Sequence, residues 1–158
     1  MALKSDKPIN YSSIAIKGLL FHFHPTNATI TVDGKTKKYQ KVWLAPTMNG
    51  RYYGGGMKIA PDQDRLNSER CVTCVVLHNA GKIRTLTAFP KIFTGEHVKY
   101  TKILDFICGH EVKVEFDRPT ALQIDGETIR NVTEYTVKSG IGLTLKTEDE
   151  VSEALRAN

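Results

Sequence analysis

The sequence has little of several features that would assign a protein class at once. It has three cysteines in 158 residues, and an odd number argues against a disulfide framework. Aromatic residues make up only 8% of the chain, which disfavours a nucleic-acid-binding barrel built on stacked aromatic rings. No apolar run approaches the ~18 residues that cross a bilayer, and the N-terminus lacks the apolar stretch of a secretory signal. We therefore expect a cytoplasmic protein in a reducing compartment.

The cysteines include a CVTC motif at residues 71–74, a spacing that suits half of a zinc site or a redox pair. The surrounding segment RCVTCVVLHN is rich in β-branched residues and predicts a strand. Residues three apart on a strand point to opposite faces, so Cys71 and Cys74 cannot hold one metal together. We expect these two cysteines and Cys108 to be reduced, structural residues.

Positive charge is in excess. The formal net charge is +5 and the pI is about 9.1. This balance favours anionic partners such as phosphates, acidic lipid surfaces or nucleic acid. A solvated sheet edge rich in lysine, which resists aggregation, would give the same composition, and charge alone does not decide between the two. The densest lysine group comprises Lys35, Lys37, Lys38 and Lys41.

Apolar spacing predicts a helix over residues 10–23, and from Ala28 the pattern changes to period two. Residues 28–46 predict a β-hairpin that turns at Asp33-Gly34. Residues 147–158 begin with a capping box and predict a terminal helix. Between them lie short strand candidates, with a loop or helical turn at 89–97. These strand candidates include residues 71–79, 81–89, 98–107, 110–116, 121–129 and 131–145.

Many short strands with little helix indicate one fold class. We predict a mostly β chain, an antiparallel β-sandwich or barrel-like domain, with a short N-terminal helix and a C-terminal helix. No repeat, low-complexity tract or linker divides the sequence. We therefore treat residues 1–158 as a single domain.

Two glycine-containing segments stand out. Gly54, Gly55 and Gly56 are consecutive, which favours positive φ angles or close approach of another group to the backbone. A strand bulge or a barrel corner is the structural alternative. The segment LQIDGE places Asp125 and Glu127 on either side of Gly126. From the residues alone, this segment is an ordinary hairpin turn.

Three segments, in this order and at these separations, resemble motifs of one protein family. They are NGRYYGGGMKIAP (49–61), FTGEH (93–97) and LQIDGE (122–127). Together they resemble the C-terminal domain of the diacylglycerol kinase-like lipid kinases, which include bacterial diacylglycerol kinases and the sphingosine and ceramide kinases. The resemblance runs from about Asn10 to Val137.

The resemblance implies a two-domain enzyme that transfers the γ-phosphate of ATP to a lipid hydroxyl. In that family an N-terminal α/β domain binds ATP and carries a GGDG motif. The sequence contains no GGDG and has no room for such a domain. We therefore expect residues 1–158 to form the C-terminal, lipid-binding lobe of a diacylglycerol kinase-like enzyme, inactive without the ATP-binding domain.

The resemblance also assigns site residues. Asp125 and Glu127 of the DGE motif become the catalytic acids. Phosphoryl transfer needs a carboxylate that accepts the hydroxyl proton and Mg²⁺ that neutralises charge on the phosphates. Either acid could be the proton acceptor, and the other would lie near the magnesium or the nucleotide. Asp125 is the candidate metal ligand, whereas we expect Asp33 of the earlier turn to be structural.

The other candidates belong to the two upstream motifs. In FTGEH, Gly95 and His97 match the G-x-H pattern of the family, and His97 serves either catalysis near neutral pH or a structural hydrogen bond. In the glycine-rich motif the resemblance implies contact with the nucleotide or the domain interface. The candidate cofactor-binding residues there are Asn49, Arg51, Gly54, Gly55 and Gly56.

The expected partners follow from the same resemblance. They are a lipid substrate such as diacylglycerol, the N-terminal ATP-binding domain and, peripherally, an anionic membrane surface, with ATP and Mg²⁺ as cofactors. A homodimer is a further expectation, because cut domain interfaces often self-associate. The alternative function is a stand-alone, non-catalytic β-sandwich that binds a lipid or a protein partner. Binding of nucleic acid is the reading that the composition supports least.

Overall fold

The computed structural model describes residues 22–53, 56–124, 127–140 and 142–148. The described residues form strands, two short α-helices and one 3-10 helix (Glu96–Lys99). The α-helices are α1 (Lys82–Ala88) and α2 (Pro90–Thr94). The strands are β1 (Thr26–Val32), β2 (Lys35–Val42), β3 (Thr47–Met48), β4 (Val72–Leu77), β5 (Leu104–Gly109), β6 (Glu111–Ile124), β7 (Glu127–Lys138) and β8 (Gly142–Thr147).

The strands form two antiparallel sheets. The larger sheet has the order β2-β1-β6-β7-β8, and the smaller sheet has the order β3-β4-β5. The prediction of a mostly β, antiparallel sandwich-like fold is confirmed, and the described strands close no barrel. Strand β2 lies at an edge of the larger sheet, and its lysines are exposed. That position fits the sheet-edge explanation of the lysine group.

Strand β4 lies between two hydrophobic cores. Cys74 and Val76 point to the larger sheet and pack with a core that contains Val114. The alternate residues Val75 and Leu77 point the other way, into a core shared with the helices. A strand that is covered on both faces is apolar at nearly every position, as the segment VTCVVL is. Each fully buried aliphatic side chain there contributes roughly 1.5–3 kcal/mol of burial free energy.

The helical layer corrects one strand prediction. Residues 81–89 were expected to form a strand, but residues 82–88 form α1. The buried positions are Thr85, Ala88, Phe89 and Ile92, a spacing of three, four and seven residues that belongs to a helix face. The β-branched Ile83, which suggested a strand, is 83% exposed. The prediction failed because β-branched composition was weighed above the period of the buried residues.

The β1–β2 hairpin turns where the sequence predicts. Val32 pairs with Lys35, and the two turn residues Asp33 and Gly34 have φ angles of 47° and 80°. Positive φ at both positions is the geometry that Asp-Gly favours in two-residue hairpins. The turn also packs onto the β5–β6 connection, where the Asp33 carboxylate accepts hydrogen bonds from the amides of His110 (2.9 Å) and Glu111 (2.8 Å). Asp33 therefore has a structural role.

The cysteines differ from the expectation. Cys71 and Cys108 form a disulfide with a Cα–Cα distance of 6.0 Å, so the prediction that all three are reduced is wrong. Thr73 pairs with Cys108 across β4 and β5, and Cys71 lies just before β4, within disulfide range of that strand. Cys74 is free and buried on the opposite side of the strand. The pairing depends on strand register across 37 residues, which cysteine counting does not reveal.

The predicted helices at 10–23 and 147–158 lie outside the described residues, apart from short stretches at their inner ends. Within the described part of the chain, no helix has the length and apolar character that a membrane crossing requires.

Candidate functional site

Strands β6 and β7 are the two longest described strands, and they extend past the neighbouring strands β1 and β8 of the larger sheet. Strand β1 pairs with β6 only as far as Phe116, and β8 pairs with β7 only from Val132 onward. Beyond those residues, β6 and β7 pair with each other through Ile124 and Glu127. Among the described strands no third one joins them there. We call residues 119–124 and 127–131 the arm.

The base of the arm is anchored by polar contacts to the start of β1. The Asp117 carboxylate accepts a hydrogen bond from the backbone amide of Asn27 at 3.2 Å and another from the Thr26 hydroxyl. The Arg118 guanidinium donates to the carbonyls of Pro25 at 2.9 Å and His24. These contacts orient the arm before it leaves the sheet.

The arm has two chemically different faces. In an antiparallel pair, directly opposed residues share a face, and so do residues two apart on one strand. Leu122 opposes Ile129 and Ile124 opposes Glu127, so all four lie on one face. The three apolar residues of this set are half-buried, and Glu127 is exposed. On the other face the Gln123 amide contacts the Thr128 hydroxyl at 3.4 Å.

The acids of the LQIDGE motif are only partly within the structure. Asp125 and Gly126 lie outside the described residues, so the roles assigned to them stay predictions. Glu127 is the first residue of β7. Among the described residues it forms no ion pair with a basic side chain, unlike Glu134 further along the same strand. A carboxylate in that state is available to a ligand or to another protein surface.

The glycine-rich segment forms a closed turn. Tyr53 and Met57 exchange backbone hydrogen bonds of 2.9 and 3.0 Å as an antiparallel bridge. Gly54 and Gly55 lie outside the described residues. Gly56 has a φ angle of 91°, a conformation that residues with a side chain rarely adopt, and an added Cβ would meet open space. Glycine is therefore required at position 56 by backbone geometry.

Arg51 lies just before this turn, at the edge of a surface pocket. The pocket has a volume of about 310 Å³, and it is lined by Gly50, Arg51, Tyr52, Gln63, Asp64 and Arg65. The Arg51 Nε donates to the Gln63 carbonyl at 3.1 Å, and the Ala60 amide donates to the Arg51 carbonyl at 3.2 Å. Asn49, the other polar candidate of this segment, is exposed.

Gln63 fixes the far wall of the pocket, and it was not a candidate from the sequence. It is 5% exposed. Its side-chain amide donates to the Cys71 carbonyl at 2.9 Å and accepts from the Thr73 hydroxyl at 2.5 Å. The contacts of Gln63 are made across a loop to strand β4, and no local pattern in DQDRLNSERC predicts them.

The structure brings two of the three sequence motifs together. His97 is fully buried, and its Nε2 lies 2.8 Å from the carbonyl oxygen of Ile59 in the glycine-rich motif. Gly95 has a φ angle of 78°, and a Cβ there would lie 3.3 Å from the side chains of Lys58 and Pro61. The G-x-H pattern therefore holds residues 93–97 against residues 57–61. No hydrogen bond or ion pair of the described residues links Glu127 with either motif.

An ionic cluster between the sheets was also missed. The Asp105 carboxylate on β5 lies 2.6 Å from the Lys37 ammonium and accepts a 2.8 Å hydrogen bond from the Tyr39 hydroxyl, both on β2. The His78 ring nitrogen lies 3.5 Å from the same carboxylate. Burial raises the pKa of Asp105, but the hydrogen bonds from Lys37 and Tyr39 outweigh burial and hold the pKa below its ordinary value.

A metal ion would be held by histidine, cysteine, aspartate or glutamate side chains that lie close together. Within the described part of the chain, no group of three or more histidine, cysteine, aspartate or glutamate side chains could hold an ion. Mg²⁺ is usually held by one or two carboxylates together with phosphate oxygens and waters. Such a magnesium site needs fewer protein ligands than a group of three, and the role of Asp125 as its candidate ligand stays a prediction.

Three comparisons define what the chain is similar to. The family model of the YegS C-terminal NAD kinase beta sandwich-like domain matches residues 2–139. Over 90 residues the chain is 29% identical to a protein named diacylglycerol kinase from Mycobacterium tuberculosis (strain ATCC 25618 / H37Rv), which covers 57% of this chain. The chain spans only 28% of that relative's length.

Solved structures share the fold. Two crystal structures from Bacillus anthracis strain Sterne superimpose with TM-scores of 0.57 and 0.55, at 13% and 12% sequence identity. The first is described as a candidate diacylglycerol kinase and the second as a diacylglycerol kinase. They cover 88% and 85% of this chain, and the chain covers 45% and 47% of theirs. At this level of identity, the likeness shows the fold alone.

Proposed function

The chain belongs to the YegS C-terminal domain family of diacylglycerol kinase-like proteins, and from that premise we propose that it acts as the lipid-facing lobe of an ATP-dependent lipid kinase. The acceptor in this proposal is the hydroxyl group of diacylglycerol or a similar lipid. The ATP-binding lobe is a separate α/β domain that docks against this one. The relatives named above supply the reaction class, and the arm supplies the physical support.

The observation that carries the proposal is the composition of one face of the arm. Glu127 shares that face with the apolar side chains of Leu122, Ile124 and Ile129. A lipid alcohol has a hydroxyl group next to long apolar chains, so it needs an acid and an apolar surface side by side. The arm offers both within two opposed residue pairs. Leu122 packs against the core of the larger sheet, so Ile124 and Ile129 provide the apolar surface of the proposal.

In the proposed reaction the Glu127 carboxylate accepts the proton of the lipid hydroxyl. The hydroxyl oxygen forms a bond to the γ-phosphorus of ATP while the bond between that phosphorus and the β,γ-bridging oxygen breaks, and ADP leaves. Asp125, two residues earlier, is the second acid of the proposal on sequence grounds. Nothing in the described contacts of Glu127 competes with this use of its carboxylate.

The nucleotide and its metal enter the proposal mainly through the other lobe. We assign Mg²⁺ mainly to the ATP-binding domain, with Asp125 as the candidate ligand from this lobe. When bound, Mg²⁺ neutralises charge on the phosphates. From this lobe, Asn49 and the glycine turn would face the nucleotide side of the interface. Peripheral contact with an anionic membrane is part of the same proposal, because the acceptor is a membrane lipid.

The test is a lipid kinase assay on the full-length protein that carries this chain, with diacylglycerol vesicles and radiolabelled ATP. Glu127→Gln should lower kcat by about two or more orders of magnitude, the usual contribution of a general base, with an unchanged melting temperature. The matched control is Glu111→Gln at the opposite end of the same hairpin, where Glu111 forms only an exposed ion pair with Lys138.

Equal activity of the two variants would reject Glu127 as the base. The 158-residue chain on its own should show no turnover, because the ATP-binding lobe is missing from it. Turnover by the chain alone would overturn the two-lobe proposal. Vesicle binding by the chain, together with an inactive full-length protein, would favour the non-catalytic lipid-binding alternative instead.

A further inference from the structure

The pocket beside the glycine turn holds an unneutralised pair of arginines. Arg51 and Arg65 both line it. Every ion pair between described side chains uses a lysine or a histidine as the cation, and none uses an arginine. Two guanidinium groups that line one pocket without a counter-ion repel each other, and a bound anion relieves that repulsion.

The one carboxylate in the pocket is turned toward its own loop. The Asp64 Oδ1 accepts a hydrogen bond from the Leu66 amide at 3.0 Å, which closes a local turn. Asp64 forms no ion pair with Arg51 or Arg65 in the described structure. Its negative charge is therefore committed to loop conformation, and it does not neutralise the two guanidinium groups.

The Arg51 guanidinium is held in position by the protein before any ligand binds. Arg51 uses its Nε for the Gln63 carbonyl, and the terminal nitrogens of its guanidinium have no partner among the described residues. Gln63 is itself held by Cys71 and Thr73. An arginine that is fixed through Nε presents its remaining donors in a rigid fork, which suits the oxygens of a phosphate group.

The opposite wall leaves space for a ligand. A Cβ added at Gly50 would lie 3.6 Å from a terminal nitrogen of Arg65, so the guanidinium of Arg65 extends over a glycine. The pocket volume of about 310 Å³ lies at the small end of the range for ligand sites and suits a phosphate ester. Tyr52 in the pocket lining is 59% exposed, and Leu66, which follows Arg65 in the chain, is 88% exposed.

We propose that Arg51 and Arg65 form a binding site for the phosphate ester head group of an anionic lipid, with Tyr52 and Leu66 against the apolar part of the lipid. The two guanidinium groups recognise the phosphate, and the exposed apolar rim distinguishes a lipid from a free phosphate ester. This site is separate from Glu127 and requires no catalysis. It goes beyond the proposed function, because it would hold also in a protein that transfers no phosphate.

The test measures co-flotation of the 158-residue chain with phosphatidylcholine vesicles that contain or lack phosphatidic acid. Arg65→Gln should weaken binding to the phosphatidic acid vesicles by about tenfold, the effect of one charge-assisted hydrogen bond. The Arg65 side chain forms no hydrogen bond or ion pair with the described residues, so we expect this variant to fold as the unmodified chain does. Arg51→Gln should act in the same direction, and a thermal melt reports whether the loop survives the loss of its Gln63 contact.

The matched control is Arg84→Gln, which removes the same charge from an exposed position on α1. It should change binding less than twofold by the proposal. Equal weakening in Arg84→Gln and Arg65→Gln would show attraction by net charge alone and overturn the site, as would unchanged binding in Arg65→Gln. Absence of binding to phosphatidic acid vesicles by the unmodified chain would also overturn it.

A second arm of the experiment adds soluble glycerol 3-phosphate as a competitor. If glycerol 3-phosphate displaces the unmodified chain from the vesicles, the phosphate head group is sufficient for binding at the arginines. If it does not, while Arg65→Gln still weakens vesicle binding, the apolar part of the lipid is also needed. Both results support a phosphate ester site and differ only in the source of the ligand. The kinase proposal is tested separately, by the turnover of Glu127→Gln. A failure of the lipid-binding site therefore differs from a failure of the kinase proposal.

Discussion

The hydroxyl of Tyr39 donates a 2.8 Å hydrogen bond to the carboxylate of Asp105, and this bond joins the two sheets of the domain. Tyr39 belongs to β2 of the larger sheet and is 3% exposed, whereas Asp105 belongs to β5 of the smaller sheet. The Lys37 ammonium lies 4.8 Å above the Tyr39 ring and pairs with the same carboxylate. The sheets are thus connected by a polar contact as well as by their shared apolar core.

Tyr39→Phe removes this hydroxyl and leaves Asp105 with one donor fewer. A hydrogen bond to a charged group contributes about 1.5–3 kcal/mol, and Asp105 keeps Lys37, so we expect a loss of about 1–2 kcal/mol in the free energy of unfolding. Urea denaturation measures this loss. Tyr52→Phe removes a hydroxyl from an exposed tyrosine and should cost less than about 0.5 kcal/mol. Similar losses in both variants would contradict the role of the inter-sheet bond.

Acid should destabilise the protein through the same carboxylate. The pKa of Asp105 is lower in the folded chain than in the unfolded chain. A lowered folded-state pKa gives stability that is present above the unfolded pKa and is lost as the pH falls through the folded pKa. The urea midpoint should therefore fall as the pH drops from about 5 to about 3, because the ordinary pKa of Asp is near 4.

Asp105→Asn should flatten this pH dependence, since the amide does not titrate. The exposed Asp62 is a matched position, and Asp62→Asn should leave the slope as it is in the unmodified chain. Part of the slope should remain in Asp105→Asn, because hydrogen bonds from the amides of Glu111 and His110 also lower the pKa of Asp33. An unchanged slope in Asp105→Asn would show that its carboxylate does not couple folding to protonation.

Gly109→Ala should destabilise the hairpin contact between the sheets. An added Cβ would lie 2.3 Å from Val32 Cγ1 and 2.8 Å from Asp33 Oδ2, closer than atoms can approach. Overpacking of this kind typically costs about 1–3 kcal/mol. In Gly50→Ala the nearest atom lies at an ordinary 3.6 Å, so that variant should melt close to the unmodified chain. Thermal melts of the two variants, compared directly, measure the difference.

Thiol titration should show the disulfide. Without reductant, one thiol per chain should react in denaturant, because Cys71 and Cys108 are bonded and Cys74 is free. Without denaturant that thiol should react slowly, because Cys74 is fully buried and burial raises its pKa to about 12. Three reactive thiols before reduction would contradict the bond. Reduction should cost about 2–4 kcal/mol of stability, and the double variant Cys71→Ser/Cys108→Ser should no longer respond to reductant.

If the arm binds the lipid as proposed, its two faces should differ in a kinase assay of the proposed two-lobe enzyme. Ile129→Gln places an amide on the apolar face beside Glu127 and should raise KM for diacylglycerol several-fold, with kcat nearly unchanged. Thr128→Gln makes the same addition on the opposite face and should leave KM as it is. Equal effects at the two positions would show that neither face contacts the lipid.

The sequence predicts local structure here better than contacts between distant segments. The turn at Asp33-Gly34 follows from two adjacent residues with a strong preference for positive φ, and alternation predicts the strands that flank it. The disulfide of Cys71 depends on which strands become neighbours, which is a property of the whole sheet. The same holds for Asp105, whose partners lie on another sheet.

The sequence could predict only those candidate site residues that lie within short motifs. The quoted motifs identified Glu127, Arg51 and His97, and the structure describes where each of them lies. Arg65 and Gln63 were missed, because their importance comes from a loop that folds back onto residues 50–52. Helix α1 was missed for a different reason, since its buried face is formed by threonine and alanine as well as phenylalanine.

Among the described residues, Leu122 is the one apolar residue of the arm that packs against a core. Past Phe116 and Val132 the strands of the arm pair only with each other among the described strands, so residues inserted beyond Leu122 need no partner strand. Two extra residues per strand would carry Glu127 about 6.6 Å outward and return each side chain to its original face. In the proposed two-lobe enzyme, pairwise insertion would therefore adjust the reach of Glu127 toward a companion lobe, while the acid keeps Ile124 and Ile129 on its face.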